Sequence, residues 1–207
     1  MPPTWTIVLP VKSFRQAKSR LATIQGAVRE DLAHAFFRDT LDAVLHAHGI
    51  GPVLVVTDDQ QAAEEASSLG ALPVYDHPRT GLNVAIHRAA TRALEGPIAT
   101  LTADLPAMRS AELEQVLASA AGHNRAFLAD HTQQGTTLLA ALRPQWLSPS
   151  FEGNSSDRHR QGGAHEITGL EVPGIRLDVD TPDDLQLAVH LGVGRHTRGV
   201  LATALQT

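Results

Sequence analysis

Four cations follow directly on the first apolar run of the chain. Thr6–Leu9 has the composition of a buried strand, and Lys12, Arg15, Lys18 and Arg20 come soon after it. Clustered lysines and arginines suit a polyphosphate, which needs neutralising charge and several hydrogen-bond donors together. Charge alone fits a solvated basic turn equally well, so other segments must decide between the two interpretations.

Acidic residues stand after several other apolar runs: Asp58 after the second strand, Asp104 after the fourth, and Asp178 with Asp180 after a late one. Ligands of open α/β sheets bind beyond the carboxyl ends of the strands, so these carboxylates would meet the basic loop. Carboxylates suit Mg²⁺, which usually shares its ligands with substrate phosphates. The alternatives are a turn at Asp104 and a helix-start device at Asp180.

Hydroxyl groups and flexible backbone mark a later segment. The loop 151–160 combines Gly153 and Ser155 with basic residues ahead of a short helix, and Thr137 enters a strand. Such a loop fits a small phosphorylated acid, and it equally fits a mobile surface loop. The turn at Gly81-Leu82-Asn83 either begins a helix or presents backbone and amide groups to a base.

Apolar runs and helical patterns alternate along the chain, which is typical of an α/β fold with a mostly parallel central sheet between helices. No linker or repeat interrupts the pattern, so we expect a single domain over residues 1–207. From Arg195 the pattern is weak, and the alternatives are a loose tail or a contact between subunits of a homodimer. The predicted strands are Thr6–Leu9, Val53–Val56, Leu72–Tyr75, Ile98–Thr102, Ala126–Ala129, Thr136–Leu142, Leu170–Val172 and Ile175–Val179. The predicted helices are Val28–Ala47, one from Asp59 to Leu69, Gly81–Leu94, one that is capped by Ser110 and runs to about Ala120, Ser156–Arg160 and one that starts at Thr181.

Composition excludes several functional classes. The chain has 207 residues, 4% aromatic residues and a formal charge of −5, which argues against a nucleic-acid partner. It has no cysteine, which excludes disulfides, thiolate metal sites and cysteine nucleophiles. Its N-terminus lacks a signal-peptide pattern and no apolar run approaches membrane length, so we expect a cytoplasmic protein with no membrane partner.

Taken together, these segments resemble the 2-phospho-L-lactate guanylyltransferase family, including its phosphoenolpyruvate-using members, which make the guanylylated precursor of coenzyme F-420. The likeness runs over nearly the whole chain. It is carried by Val-Leu-Pro-Val-Lys-Ser-Phe with Ala-Lys-Ser-Arg-Leu in the first loop, Thr57–Asp59, Gly81–Asn83, Leu101–Pro106, Gly135–Leu139, Phe151–His159 and Leu177–Leu185. The resemblance implies a nucleotidyltransferase of the glycosyltransferase-A-like, nucleotide-diphospho-sugar transferase type.

Site roles follow from the same resemblance. It implies that GTP lies against the residues Lys12, Ser13, Lys18, Arg20, Asp58, Gly81 and Asn83, with Lys18 and Asp104 catalytic. It implies that Mg²⁺ is bound by Asp104 with Asp178 or Asp180, and that the phosphorylated acid is held by Thr137, Gly153 and Ser155.

One departure concerns the acceptor. Family members usually carry glycine directly after the phenylalanine, whereas here Glu152 follows Phe151 and the glycine comes one place later. Either Glu152 points outward or the acceptor is altered, for example by an extra hydroxyl. The acceptors that remain open are 2-phospholactate, phosphoenolpyruvate and 3-phosphoglycerate.

The resemblance implies that the acceptor phosphate attacks the α-phosphorus of GTP and that pyrophosphate leaves. Two alternatives remain. One is another nucleotidyltransferase, of the molybdopterin guanylyltransferase or sugar-phosphate type, although those families usually carry a glycine-rich first loop and here no glycine precedes Gly26. The other is a non-catalytic regulator that binds a nucleotide.

Overall fold

A seven-stranded sheet forms the centre of the molecule. The computed structural model describes residues 4–14, 26–76, 81–93 and 95–204. Within them the strands are β1 (Trp5–Val11), β2 (Ile50–Thr57), β3 (Leu72–Tyr75), β4 (Ile98–Leu101), β5 (Arg125–Ala129), β6 (Thr136–Ala141) and β7 (His165–Glu166). The helices are α1 (Gly26–Leu45), α2 (Gln60–Ser68), α3 (Leu82–Ala90), α4 (Ser110–Ala120), α5 (Ser155–Gln161), α6 (Pro173–Arg176), α7 (Pro182–Leu191) and α8 (Arg195–Ala204).

The strand order is β3-β2-β1-β4-β6-β5-β7. β1 pairs in parallel with β2 and β4, β2 with β3, and β5 with β7, whereas β6 runs antiparallel to both β4 and β5. The carboxyl ends of β1, β2, β4 and β5 therefore lie at one edge of the sheet, together with the amino end of β6. The prediction of an α/β fold with a mostly parallel sheet is confirmed.

Helices cover both faces of the sheet. One face packs on α1, α2 and α4 through buried side chains such as Phe37, Leu41 and Val116, and the other packs on α3 through Ile86 and Ala89. Since both faces are covered, the central strands are apolar throughout rather than alternating. Within the described residues, no helix is long and apolar enough to cross a membrane.

The C-terminal segment is a docked helix, and the prediction of a loose tail was wrong. The carboxylate of Asp39 on α1 accepts hydrogen bonds from the backbone N–H groups of His196 (3.0 Å) and Thr197 (2.9 Å), at the start of α8. The cap thus comes from a distant part of the chain. A local search for a capping residue could not find it.

The two predicted closing strands at Leu170–Val172 and Ile175–Val179 were also wrong. Pro173 opens the short helix α6 instead, and the backbone N–H of Gly174 donates to Glu112 of α4 at 2.8 Å. A β-carbon on Gly174 would lie 2.3 Å from the carbonyl oxygen of Ala107, so this close approach to the segment before α4 requires glycine. The seventh strand, β7, had no prediction.

The first turn of α4 differs from the prediction by one residue. Ser110 was expected to be the cap, but it is the first residue of the helix and its hydroxyl donates to the carbonyl oxygen of Ala43. Arg109 occupies the cap position, and its backbone N–H donates to Glu112 at 2.9 Å. The helix that starts at Thr181 is confirmed, because Thr181 Oγ1 accepts from the backbone N–H of Asp184 at 3.2 Å.

Candidate active site

A cavity of about 840 Å³ opens at the edge of the sheet where the carboxyl ends of β1, β4 and β5 meet. Lys12 lines it from the end of β1 and Asp104 from the end of β4. Among the described residues that line the cavity, Lys12 is the one lysine or arginine. The topology therefore brings the start of the basic loop and the first candidate metal ligand to one cavity, as the sequence predicted.

The segment that carries Asp178 and Asp180 is hydrogen-bonded directly to Asp104. The backbone N–H of Val179 donates to the carbonyl oxygen of Asp104 at 3.1 Å, so Asp178 and Asp180 flank the attachment point. Arg176 anchors the preceding turn by donating to the carbonyl oxygens of Ala129 (2.8 Å) and Ile167 (3.1 Å). Both Asp178 and Asp180 line the cavity, although they are separated from Asp104 by more than 70 positions.

The carboxylates in this cavity repel one another. Burial, followed by the charges of Asp104, Asp180 and Asp130, raises the pKa of the Asp178 carboxyl to about 8. A bound cation would relieve that repulsion and restore the ionised form. Among the described residues, no three acidic or histidine side chains already converge as a complete set of metal ligands. A metal ion here would therefore take further ligands from substrate or water.

His131 was missed by the sequence analysis. It follows β5 and lines the cavity, with Nε2 at 3.3 Å from Asp184 Oδ1 and Nδ1 at 4.0 Å from Asp178 Oδ1. Asp184 also accepts from the backbone N–H of Thr181 at 2.7 Å, so the start of α7 and the end of β5 are held together. The rule that ligands gather at the carboxyl ends of strands would have found His131 if the direction of β5 had been known.

The turn between β5 and β6 is closed by Asp130, which is buried. Its carboxylate accepts from the backbone N–H groups of Gln134 (3.1 Å) and Gly135 (2.9 Å) and from the hydroxyl of Thr132. A β-carbon on Gly135 would lie 2.4 Å from Asp130 Oδ2, so only glycine fits there. This turn places the start of β6 at the cavity.

A buried imidazole supports the part of the cavity wall that is formed by Thr136 and Phe151. His159 of α5 is 2% exposed; its Nε2 accepts from the backbone N–H of Ser150 at 3.0 Å, and its Nδ1 lies 2.9 Å from Thr136 Oγ1. A backbone N–H can only donate, so Nε2 carries no proton and the proton is assigned to Nδ1, which donates to Thr136. Burial, with the nearby charges of Arg125 and Arg158, lowers the pKa of His159 to about 4.

The side-chain amide of Asn83 holds the same wall from the other side. It donates to the carbonyl oxygen of Phe151 at 3.2 Å and accepts from the backbone N–H of Phe151 at 2.7 Å. Both hydrogen bonds serve the loop, so in this structure Asn83 positions the loop. The contact of Asn83 with a nucleotide stays a prediction.

Glu152 lines the cavity and adopts a backbone conformation that favours glycine. Its φ is +82° and that of Gly153 is +55°, so two successive residues lie in the left-handed region. Residues other than glycine are strained there. The resemblance implies glycine at the position of Glu152, and the left-handed backbone there is one that glycine adopts without strain.

The structure gathers about half of the predicted site residues around the cavity. Those that line it are Lys12, Asp104, Gly153, Ser155, Asp178 and Asp180. Ser13 follows Lys12, Asp58 is exposed at the end of β2, Gly81 precedes α3 with φ +97°, and Thr137 is buried on β6. Lys18 and Arg20 lie outside the described residues. All of these roles stay predictions.

Comparison with known proteins shows similarity to one family over nearly the whole chain. The family model described as "Guanylyl transferase CofC like" matches residues 5–204. The phosphoenolpyruvate guanylyltransferase of Streptomyces scabiei is 47% identical, over 97% of each chain. The protein of the same name from Streptomyces coelicolor is 48% identical, again over 97% of each chain.

Solved structures agree on the fold. A nucleotidyl transferase from Methanothermobacter superposes with a TM-score of 0.65 at 20% identity, over 91% of this chain and 97% of that one. A 4-diphosphocytidyl-2C-methyl-D-erythritol synthase from Anaerococcus prevotii gives 0.57 at 10% identity, over 89% and 94%. At such low identity these likenesses bear on the fold alone.

Proposed function

Because the chain belongs to the CofC-like guanylyl transferase family, we propose that it transfers GMP from GTP to phosphoenolpyruvate and releases pyrophosphate. The acceptor is chosen from the names of relatives that are 47% and 48% identical. The observation that carries the proposal is that Lys12, Asp104, Asp178 and Asp180 line the same cavity. The family resemblance further supports a place for the product on the route to coenzyme F-420.

In the proposed reaction an oxygen of the acceptor phosphate forms a new bond to the α-phosphorus of GTP. The bond from that phosphorus to the bridging oxygen breaks, and pyrophosphate leaves with the electron pair. A phosphate monoester is already an anion at neutral pH, so the reaction needs no general base. Catalysis then depends on in-line positioning and on neutralising charge.

Each group of residues has a proposed task. Lys12, with Lys18 and Arg20, which follow it in the sequence, neutralises the phosphates of GTP. Asp104 and either Asp178 or Asp180 would hold Mg²⁺, and their crowding is consistent with a cation site. When bound, Mg²⁺ supplies positive charge to the phosphate oxygens.

The acceptor is proposed to lie against Thr137, Gly153 and Ser155. Ser155 is buried at the start of α5 and lines the cavity, next to the left-handed backbone at Gly153. The neighbouring Ser156 ties α5 to the β5–β6 turn, because its backbone N–H donates to the carbonyl oxygen of Gln134 at 3.0 Å. The start of α5, which would contact the acceptor, is thus held against the turn between β5 and β6.

The test is to incubate the purified full chain with GTP and Mg²⁺ and with one acid at a time: phosphoenolpyruvate, 2-phospholactate or 3-phosphoglycerate. Pyrophosphate is measured with a coupled pyrophosphatase assay, so a labile product does not matter. We expect release with phosphoenolpyruvate and none without an acid. Binding of GTP without pyrophosphate release with any acid would instead indicate a non-catalytic nucleotide-binding protein.

A further inference from the structure

Three buried threonine hydroxyls on neighbouring strands have no hydrogen-bond partner among the described residues. They belong to Thr100 on β4, to Thr102 directly after β4 and to Thr137 on β6. Buried hydroxyls are normally paired, so each unpaired one requires an explanation. Of the three residues, only Thr102 lines the cavity, and it is not among the residues assigned above.

Thr102 and Thr137 face each other across the sheet. The antiparallel register pairs Thr100 with Leu139 and Leu101 with Leu138, and the backbone N–H of Thr102 donates to the carbonyl oxygen of Thr137 at 2.9 Å. Residues directly opposite each other in an antiparallel pair have their side chains on the same face of the sheet. The two hydroxyls therefore belong to one face, the one that packs on α3 through Leu139.

An irregularity in the next pair of strands affects the same place. β5 and β6 pair Leu128 with Leu138 but Ala129 with Thr136, so Thr137 is an extra residue on β6. Such β-bulges redirect side chains and are frequent beside active sites. The hydroxyl of Thr136 is hydrogen-bonded to His159, whereas that of Thr137 has no partner among the described residues.

We propose that Thr102, which lies opposite Thr137, donates a hydrogen bond to an anionic oxygen of the acceptor acid and so helps to bind that acid. This inference rests on the proposed function. A hydroxyl can donate to an anionic oxygen without adding a fixed charge, which suits a cavity that already holds several carboxylates. The donor at Thr102 lies two residues before Asp104, so the acceptor would be held beside the candidate metal ligand.

The chain offers a matched control. Thr102→Val and Thr100→Val each replace one unpaired buried hydroxyl by a methyl group of similar size, but Thr100 does not line the cavity. A lost hydrogen bond to a charged group predicts an increase of ~10- to 100-fold in KM for phosphoenolpyruvate in Thr102→Val. We expect KM for GTP to be unchanged in Thr102→Val, and both constants to be unchanged in Thr100→Val.

Two further variants separate hydrogen bonding from packing. Thr102→Ser keeps the hydroxyl and is expected to retain most of the acceptor affinity. Thr102→Ala removes both the hydroxyl and the γ-methyl group and is expected to behave like Thr102→Val. Thr102→Ala also replaces Thr102→Val should the latter fail to fold, as judged by circular dichroism. A wild-type KM for phosphoenolpyruvate in Thr102→Ala or Thr102→Val would overturn the inference.

Other outcomes are equally decisive. If Thr100→Val and Thr102→Val raise KM to the same extent, and do so for both substrates, the effect comes from distortion of β4 and the inference is wrong. If wild-type protein releases pyrophosphate with phosphoenolpyruvate while the Thr102 variants match it, the inference alone fails. If the wild type releases no pyrophosphate with any acid, the proposed function fails and the inference fails with it.

Discussion

Acid should lower the free energy of unfolding through one buried histidine, His159. His159 is 2% exposed and is held in its neutral form, because Nε2 accepts the Ser150 N–H. Protonation would place a second hydrogen against that N–H and a charge among apolar rings, including Phe151 at 5.1 Å between ring centroids. The matching variant is His159→Gln, which keeps a hydrogen-bond acceptor but cannot titrate in this range.

The magnitude follows from the two pKa values. His159 has a pKa of about 4 in the folded protein against 6.5 for an unperturbed histidine. Between these values the unfolded chain binds more protons, so the stabilisation is complete above pH 6.5 and is lost as the pH falls through 4. Linkage gives a loss in the free energy of unfolding of about 2 kcal/mol from pH 7 to pH 5, and of about 3 kcal/mol by pH 4.

Urea unfolding followed by circular dichroism at several pH values measures this loss. The difference in stability between wild type and His159→Gln should shrink by about 2 kcal/mol from pH 7 to pH 5, because the variant lacks the titrating group. His190→Gln, at an exposed position on α7, controls for the removal of one imidazole. A difference that stays constant over this pH range would refute the assignment of His159 as a buried neutral histidine.

Three further predictions concern the proposed metal, the proposed role of Asp104 and the turn between β5 and β6. Asp104→Asn should abolish Mg²⁺-dependent pyrophosphate release while the circular dichroism spectrum stays that of the wild type, and near-normal turnover would remove Asp104 from the mechanism. Chelation of divalent metal should weaken GTP binding in calorimetry as well as turnover, because the carboxylates would then repel the phosphates. Gly135→Ala should lower the free energy of unfolding in urea by ~1–3 kcal/mol, since its β-carbon would lie 2.4 Å from Asp130 Oδ2. Gly122→Ala, where the nearest atom is at 3.5 Å, is the control and should unfold like the wild type.

Local patterns in the sequence were sufficient for most of the fold. The uninterrupted apolar run at Val53–Val56 predicted a central parallel strand, and Thr181 with Pro182 predicted the start of α7; both are confirmed. Features that depend on distant residues were not accessible. The start of α8 is defined by Asp39 on α1, and no residue near Arg195 signals it.

The same distinction holds for the site. Asp104 and Asp178 were predicted to meet because both follow apolar runs, and the backbone bond between Val179 and Asp104 brings their segments together. His131 was missed because the sequence does not tell which of two successive strands reverses direction. β6 runs antiparallel to its neighbours, so β5 ends at the ligand edge and carries His131 there.

The charges around the cavity predict that the first loop matters as much as the carboxylates. Among the described lining residues, Asp104, Asp178 and Asp180 outnumber Lys12, yet both proposed substrates are anions. Positive charge must therefore come from a bound divalent cation, from the cations that follow Lys12 in the sequence, or from both. A metal ion between the carboxylates would convert the region that most repels phosphate into one that binds it. We therefore expect the carboxylate cluster to bind anionic substrates only when a cation, the basic loop or both supply the compensating positive charge.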